Sequence, residues 1–137
     1  MGASRATLVD VYYKQVRSIL EYASVVWNAG LKLDDIQKIE RVQKSACTII
    51  LGASYNSYEE ACQILHFKQL SERRKELALR FATKASKHPI HSKRFIQNPT
   101  EQYTRLQKPT YKPVCGRTER FLHSAIPYLT SLLNETK

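Results

Sequence analysis

The first 88 residues contain no proline; all five prolines fall at positions 89, 99, 109, 113 and 127. Proline breaks helix interiors by removing a donor and clashing with the preceding turn. The first 88 residues are therefore free to be helical, while the remainder is expected to be extended or irregular with short structured pieces. Glycine is also scarce. Four scattered glycines cannot make a phosphate-cradling loop, and no serine stands in a G-x-S-x-G context. The three cysteines, Cys47, Cys62 and Cys115, include no C-x-x-C pair. An odd count without close couples argues against a disulfide framework and a structural zinc, and fits a reducing compartment. His88 and His91 (HPIH) and the wide Cys115–His123 pair are too sparse to alter that. No apolar run approaches the ~20 residues of a membrane span, and MGASRATLVD lacks the apolar core of a signal peptide. The expected location is intracellular, nuclear or cytoplasmic, not secreted and not in a membrane.

Acidic residues are the other shortage. Lys and Arg number 22 against 12 Asp and Glu, a net charge of +10. The excess is uneven: residues 1–68 hold 8 basic and 7 acidic side chains, and residues 69–137 hold 14 and 5. A positive field confined to one half points to a polyanion, and nucleic acid is the commonest polyanion for a basic, Tyr-rich intracellular domain. The plain alternative is a solvated helix face followed by a soluble tail.

Apolar spacing of three and four marks about four amphipathic helices. The first, over 7–23, places Leu8, Tyr12, Val16, Ile19, Leu20 and Ala23 on one stripe, with Trp27 as a buried plug at its end. The second, over 34–51, carries Ile36, Ile39, Val42, Ala46, Ile49 and Ile50, with Asp34 or Asp35 as N-cap and Gly52 as its stop. Ser57 to Glu60 reads as a capping box for a third helix, 57–66. The fourth, 70–88, turns Leu70, Leu77, Ala78, Phe81 and Ala85 inward and Arg73, Arg74, Lys75, Arg80, Lys84 and Lys87 outward. The expected core joins Val16, Leu20, Ile39, Val42, Ile49, Leu65, Leu77 and Phe81. The fold class is mainly α: a small antiparallel helical array over 1–88, a linker over 89–102, and an extended, basic C-terminal segment, 103–137. That segment packs on the helices and ends in a short helix, 126–134.

Little in the chain reads as catalytic. Asp34 and Asp35 are the only adjacent carboxylates, and they precede a helical stripe with no strand before them. Two-metal nucleotidyl transfer needs a larger carboxylate set, so helix capping is the better account. No cofactor and no metal ligand set is expected. What remains is basic. Arg73, Arg74, Arg80 and Lys84 of the fourth helix and Arg105, Lys108, Lys112, Arg117 and Arg120 of the tail are the candidate phosphate contacts. Tyr103, Tyr111 and Phe121 are interleaved with the tail cations. They either stack on bases or pin the tail to the helices.

These residues also resemble a known family. Tyr13, Lys14, Val16, Arg17, Leu20, Glu21, Tyr22, Ala23 and Trp27 follow the order of a Y-K-x-x-I-R-x-x-L-E-Y-A-x-x-x-W pattern, with one residue instead of two after Lys14 and Val16 in place of Ile. Ile39, Glu40, Val42, Gln43, Lys44 and Ala46 follow L/I-E-x-V-Q-K-x-A, and Leu70, Arg73 and Arg74 follow L-x-x-R-R. In the tail, Lys112, Pro113, Cys115, Arg117, Thr118, Arg120, Ser124, Ile126, Pro127, Tyr128 and Leu129 follow the order of K-x-P-x-C-R-T-x-R…S-x-I-P-Y-L, with no residue between Lys112 and Pro113 and with Gly116 inserted. The chain thus resembles the thumb and C-terminal segment of non-LTR (LINE-type, jockey-like) retrotransposon reverse transcriptases. The catalytic palm, with its paired aspartates, has no counterpart here. The resemblance implies a truncated, non-catalytic fragment that grips the backbone of an RNA–DNA hybrid or other duplex without sequence preference, with a separate polymerase palm subunit as a further partner. A helical protein-interaction module and a relic without selected function are the alternatives.

Overall fold

The structure is a computed structural model that describes residues 2–98 and 109–136. The chain is mainly α. Its helices are α1 (Arg5–Val11), α2 (Ser18–Glu21), α3 (Ser24–Trp27), α4 (Leu33–Leu51), α5 (Tyr58–Leu65), α6 (Leu70–Lys87), α7 (Glu119–Leu122) and α8 (Ala125–Glu135). Among the described residues the one β-like feature is an isolated antiparallel bridge between Gln97 and Tyr111. The chain divides into two compact units, one of residues 1–24 and 31–74, the other of 25–30 and 75–137. The division differs from the expected boundary at residue 88 and falls within α6.

In the first unit, Ser4 caps α1 by accepting the Thr7 amide at 3.2 Å. The helix then passes into a π-helical stretch, Tyr12–Arg17, before α2. A π turn takes more residues than an α turn, so residues beyond it rotate out of the expected stripe. Tyr12 is buried and stacks on Phe67 with ring centroids 4.7 Å apart, whereas Ile19 faces solvent. Ala23, with φ 50°, separates α2 from α3. α4 begins at Leu33 after Lys32, which makes no side-chain cap bond. The expected Asp N-cap is thus displaced. Asp34 and Asp35 lie in the first turn, where negative charge favours the helix dipole, and Asp35 pairs with Lys38 at 3.0 Å. Gly52, with φ 54°, follows α4. Ser57 caps α5 through the Glu60 amide, and His66 ends it in the left-handed conformation.

The buried face of α4 is Gln43, Cys47, Ile50 and Leu51. These close a core with Tyr12, Ala61, Cys62, Leu65 and Phe67. Val42 and Ile49, expected inside, are exposed, Ile49 by 70%. The reason is a polar residue. Gln43 is buried because each end of its amide finds a partner: Oε1 accepts the Tyr12 hydroxyl at 2.7 Å and Nε2 donates to the Lys68 carbonyl at 3.0 Å. A buried amide satisfied at both ends carries little desolvation penalty. Ile39, Val16 and Leu20 are half-buried.

In the second unit, Ala78, Ala82 and Ala85 of α6 pack with Phe95 and with Leu129, Leu132 and Leu133 of α8. Small residues at these positions allow close approach, and Phe81 turns out to solvent instead of inward, while Leu77 is half-buried. Trp27 is half-buried rather than a buried plug, and neighbouring Asn28 donates to the Tyr128 hydroxyl at 3.1 Å. Residues 89–98, read as linker, belong to this packing: Phe95 is buried. The Asn98 amide donates to Thr110 O and the Lys112 amide to Ile96 O. Asn134 of α8 then clamps Tyr111 from both sides, accepting its N–H at 2.9 Å and donating to its carbonyl at 3.0 Å. Phe121 lies over Gly116, where a Cβ would come within 2.3 Å of its ring.

Candidate nucleic-acid interface

The nine candidate cations fall into three groups. Arg73 and Arg74 are drawn into the first unit. Arg73 closes its guanidinium fork on Glu21, Nε to Oε1 at 3.1 Å and Nη2 to Oε2 at 3.2 Å. Arg17 shares the same carboxylate at 3.0 Å. Arg74 is 1% exposed, with Nη2 3.9 Å from Glu40 Oε1. Glu40 also accepts the backbone N–H groups of Leu70 and Ser71 and the hydroxyl of Tyr58. The R-R pair, taken from the sequence as outward phosphate contacts, is instead the inner half of two carboxylate clusters. At 1% exposure the Arg74 side chain does not reach a phosphate, while Arg73 is half-buried and engaged by Glu21.

Arg80, Lys84, Lys112, Arg117 and Arg120 form the second group. All five are exposed and belong to the second unit. None makes an ion pair with another described residue. Arg80, Lys84 and Lys87 recur at steps of four and three, which puts them on one face of α6. Arg105 and Lys108, the third group, lie outside the described residues.

The sequence reading missed Lys93 and Arg94. They stand in a short 3-10 turn, Ser92–Arg94, directly before buried Phe95, and are exposed. The Lys-Arg dipeptide was visible, but assigning 89–102 to a linker removed it from the count. The second unit as a whole has 12 basic and 4 acidic residues, net +8, against 10 and 8, net +2, in the first. Tyr111 packs against Phe95 at 6.3 Å and joins the core of the second unit, so it pins the tail instead of presenting a stacking face. Phe121 is partly exposed.

Burial also fixes the titration of three groups in the first unit. It pushes the Tyr12 hydroxyl up, and the Tyr58 hydroxyl up further, aided there by the bond donated to Glu40. Burial and the facing Cys62 thiol push Cys47 up to about 12. None of these groups is poised as a nucleophile near neutral pH. Among the described residues, no three His, Cys, Asp or Glu side chains gather as a metal-ligand set, and no helix is long and apolar enough to cross a membrane.

Comparison with protein-family models, with curated proteins and with solved structures returns no match.

Proposed function

We propose that the chain is a non-catalytic, intracellular nucleic-acid-binding fragment that grips the sugar–phosphate backbone of an RNA–DNA hybrid or duplex. It acts in the manner of the reverse-transcriptase thumb it resembles and alongside a separate palm. The observation that carries this reading is the unpaired cation set of the second unit: Arg80, Lys84, Lys112, Arg117 and Arg120, exposed and without a carboxylate partner among the described residues. Cations that serve stability are ordinarily matched by acids, as Arg17, Arg73 and Arg74 are here. Cations left unmatched in a unit of net +8 await an anion from outside. The test is fluorescence anisotropy on a labelled hybrid across a salt series. With about five phosphates neutralised, log affinity falls with log salt at a slope of roughly −4 to −5 on a B-form duplex. Undetectable binding at low salt by a folded sample overturns the reading.

One observation favours a second reading, a helical protein-interaction module. Val11 and Ile49 are exposed at an apolar cavity of about 140 Å³ shared with Leu8, Val16 and Ala46. A saturable protein partner with a weak salt slope would single it out.

A further inference from the structure

Two adjoining cavities in the second unit form a groove. The first, about 220 Å³, is lined by Phe81 and Ala85 of α6 together with Arg94, Phe95 and Ile126. The second, about 420 Å³, shares Arg94 and Ile126 and continues past Ile96, Lys112 and Val114. The floor is apolar, the charged side chains along it are cations, and no carboxylate lines either part. Phe81 is 48% exposed and Ile96 is 62% exposed. Along α6, Arg80 and Lys84 stand one position before Phe81 and Ala85, about 100° around the helix, and line neither part of the groove.

A duplex presents phosphates and hides the faces of its bases. Cations alone would suffice to hold it, and an apolar channel between them would stay empty. A single strand presents both, phosphates on one side and unstacked bases on the other. Resting on the nucleic-acid reading above, we propose that this groove seats unpaired bases of a single-stranded segment. Its phosphates lie on Arg94 and Lys112. Phe81 is the stacking platform, and the aliphatic surfaces of Ile96, Val114 and Ile126 cover the bases that follow. Contact to base faces and not to base edges makes the site tolerant of sequence.

The test compares four labelled probes on the full chain at one salt concentration: an oligo-dT strand, an abasic strand of equal length, a blunt RNA–DNA hybrid, and the same hybrid with a dT overhang. Oligo-dT and the overhang hybrid should bind about ten-fold more tightly than the abasic strand and the blunt hybrid. Phe81→Ala should erase most of that difference while leaving the blunt hybrid and the salt slope unchanged. Ile96→Ser, at a more exposed position, should reduce it in a variant whose folding is not at risk. Equal binding of dT and abasic strands, insensitive to both variants, overturns the groove proposal and leaves the backbone reading standing. Absence of binding to all four probes overturns the backbone reading and the groove with it. If a peptide of alternating Leu and Glu occupies the groove in a Phe81-dependent way and oligo-dT does not, the occupant is an acidic protein segment and the proposal fails.

Discussion

The Glu40 carboxylate of α4 accepts the backbone N–H of Ser71 at 2.6 Å, so the first turn of α6 is capped by a side chain 31 residues upstream. Helix N-termini leave backbone donors without intrahelical partners, and here a single acid answers Leu70 and Ser71 together while facing Arg74. Replacing Glu40 with Ala removes the acceptor of the Leu70 and Ser71 N–H groups and of the Tyr58 hydroxyl, and should cost about 1–3 kcal/mol for each donor left unsatisfied. Glu40→Gln keeps the acceptor and loses the charge, with a smaller loss. Urea unfolding of the two variants checks the order.

Tyr12 and Gln43 form a buried polar pair in the core of the first unit. Gln43→Leu strands the buried Tyr12 hydroxyl and should cost about 1–3 kcal/mol for that unsatisfied group. Tyr12→Phe in the Gln43→Leu background should recover part of the loss, because it removes the stranded hydroxyl. A double-mutant cycle on unfolding free energies measures the coupling. Additive single effects would show that the hydrogen bond contributes nothing.

The two arginine groups should separate in experiment. Arg80→Ala, Lys84→Ala and Lys112→Ala should each leave stability within about 0.5 kcal/mol, as surface changes do. Each should also flatten the salt dependence of binding by about one unit. Arg73→Ala should lower stability by breaking its fork on Glu21, while the salt slope of the folded fraction stays as it was. A slope that falls with Arg73→Ala and not with Lys84→Ala would place the interface elsewhere.

Cysteine reactivity and alkaline stability follow from burial. Cys115 is exposed, while Cys47 and Cys62 are buried. At neutral pH iodoacetamide should modify Cys115 first and reach the other two only on unfolding, as mass spectrometry would read. Cys47 keeps its proton in the folded protein up to about 12, against an ordinary value of 9.0. Between those values the unfolded chain binds fewer protons at this thiol than the folded one, so its contribution to stability is constant below about 9 and falls as pH rises through that window. The raised Tyr12 and Tyr58 add to the fall above 10.0, their ordinary value. Cys47→Ala should flatten the onset of the loss. A melting temperature that does not change from pH 8 to 11 would contradict it.

Primer extension offers a check on chemistry. With magnesium or manganese, the purified chain should extend no primer, because the adjacent acids Asp34 and Asp35 sit in the first turn of α4 and two-ion catalysis needs a larger converging set. Extension that disappears in Asp34→Ala would reverse this.

The sequence by itself determined the four longer helices, with ends within a residue or two. The spans of α4, α5, α6 and α8 follow from apolar spacing, from Ser57 as a cap and from Pro89 as a stop, because helix periodicity and capping are local properties of the chain. The excess of positive charge in the later part of the chain was equally legible. Which face of each helix turns inward was decided only in three dimensions. A count of apolar residues assigns Val42, Ile49 and Phe81 to the core and Arg74 to the surface. The structure exposes the first three and buries the arginine. Gln43 and Arg74 can be buried because Tyr12, Lys68 and Glu40, distant in sequence, satisfy or face them. The π-helical turn at Tyr12–Arg17 shifts the phase of α2 in a way no periodicity count registers. The same long-range pairing sorts the cations. Arg73 and Arg80 are indistinguishable as outward positions of one helix until Glu21 claims the first and leaves the second open to a ligand.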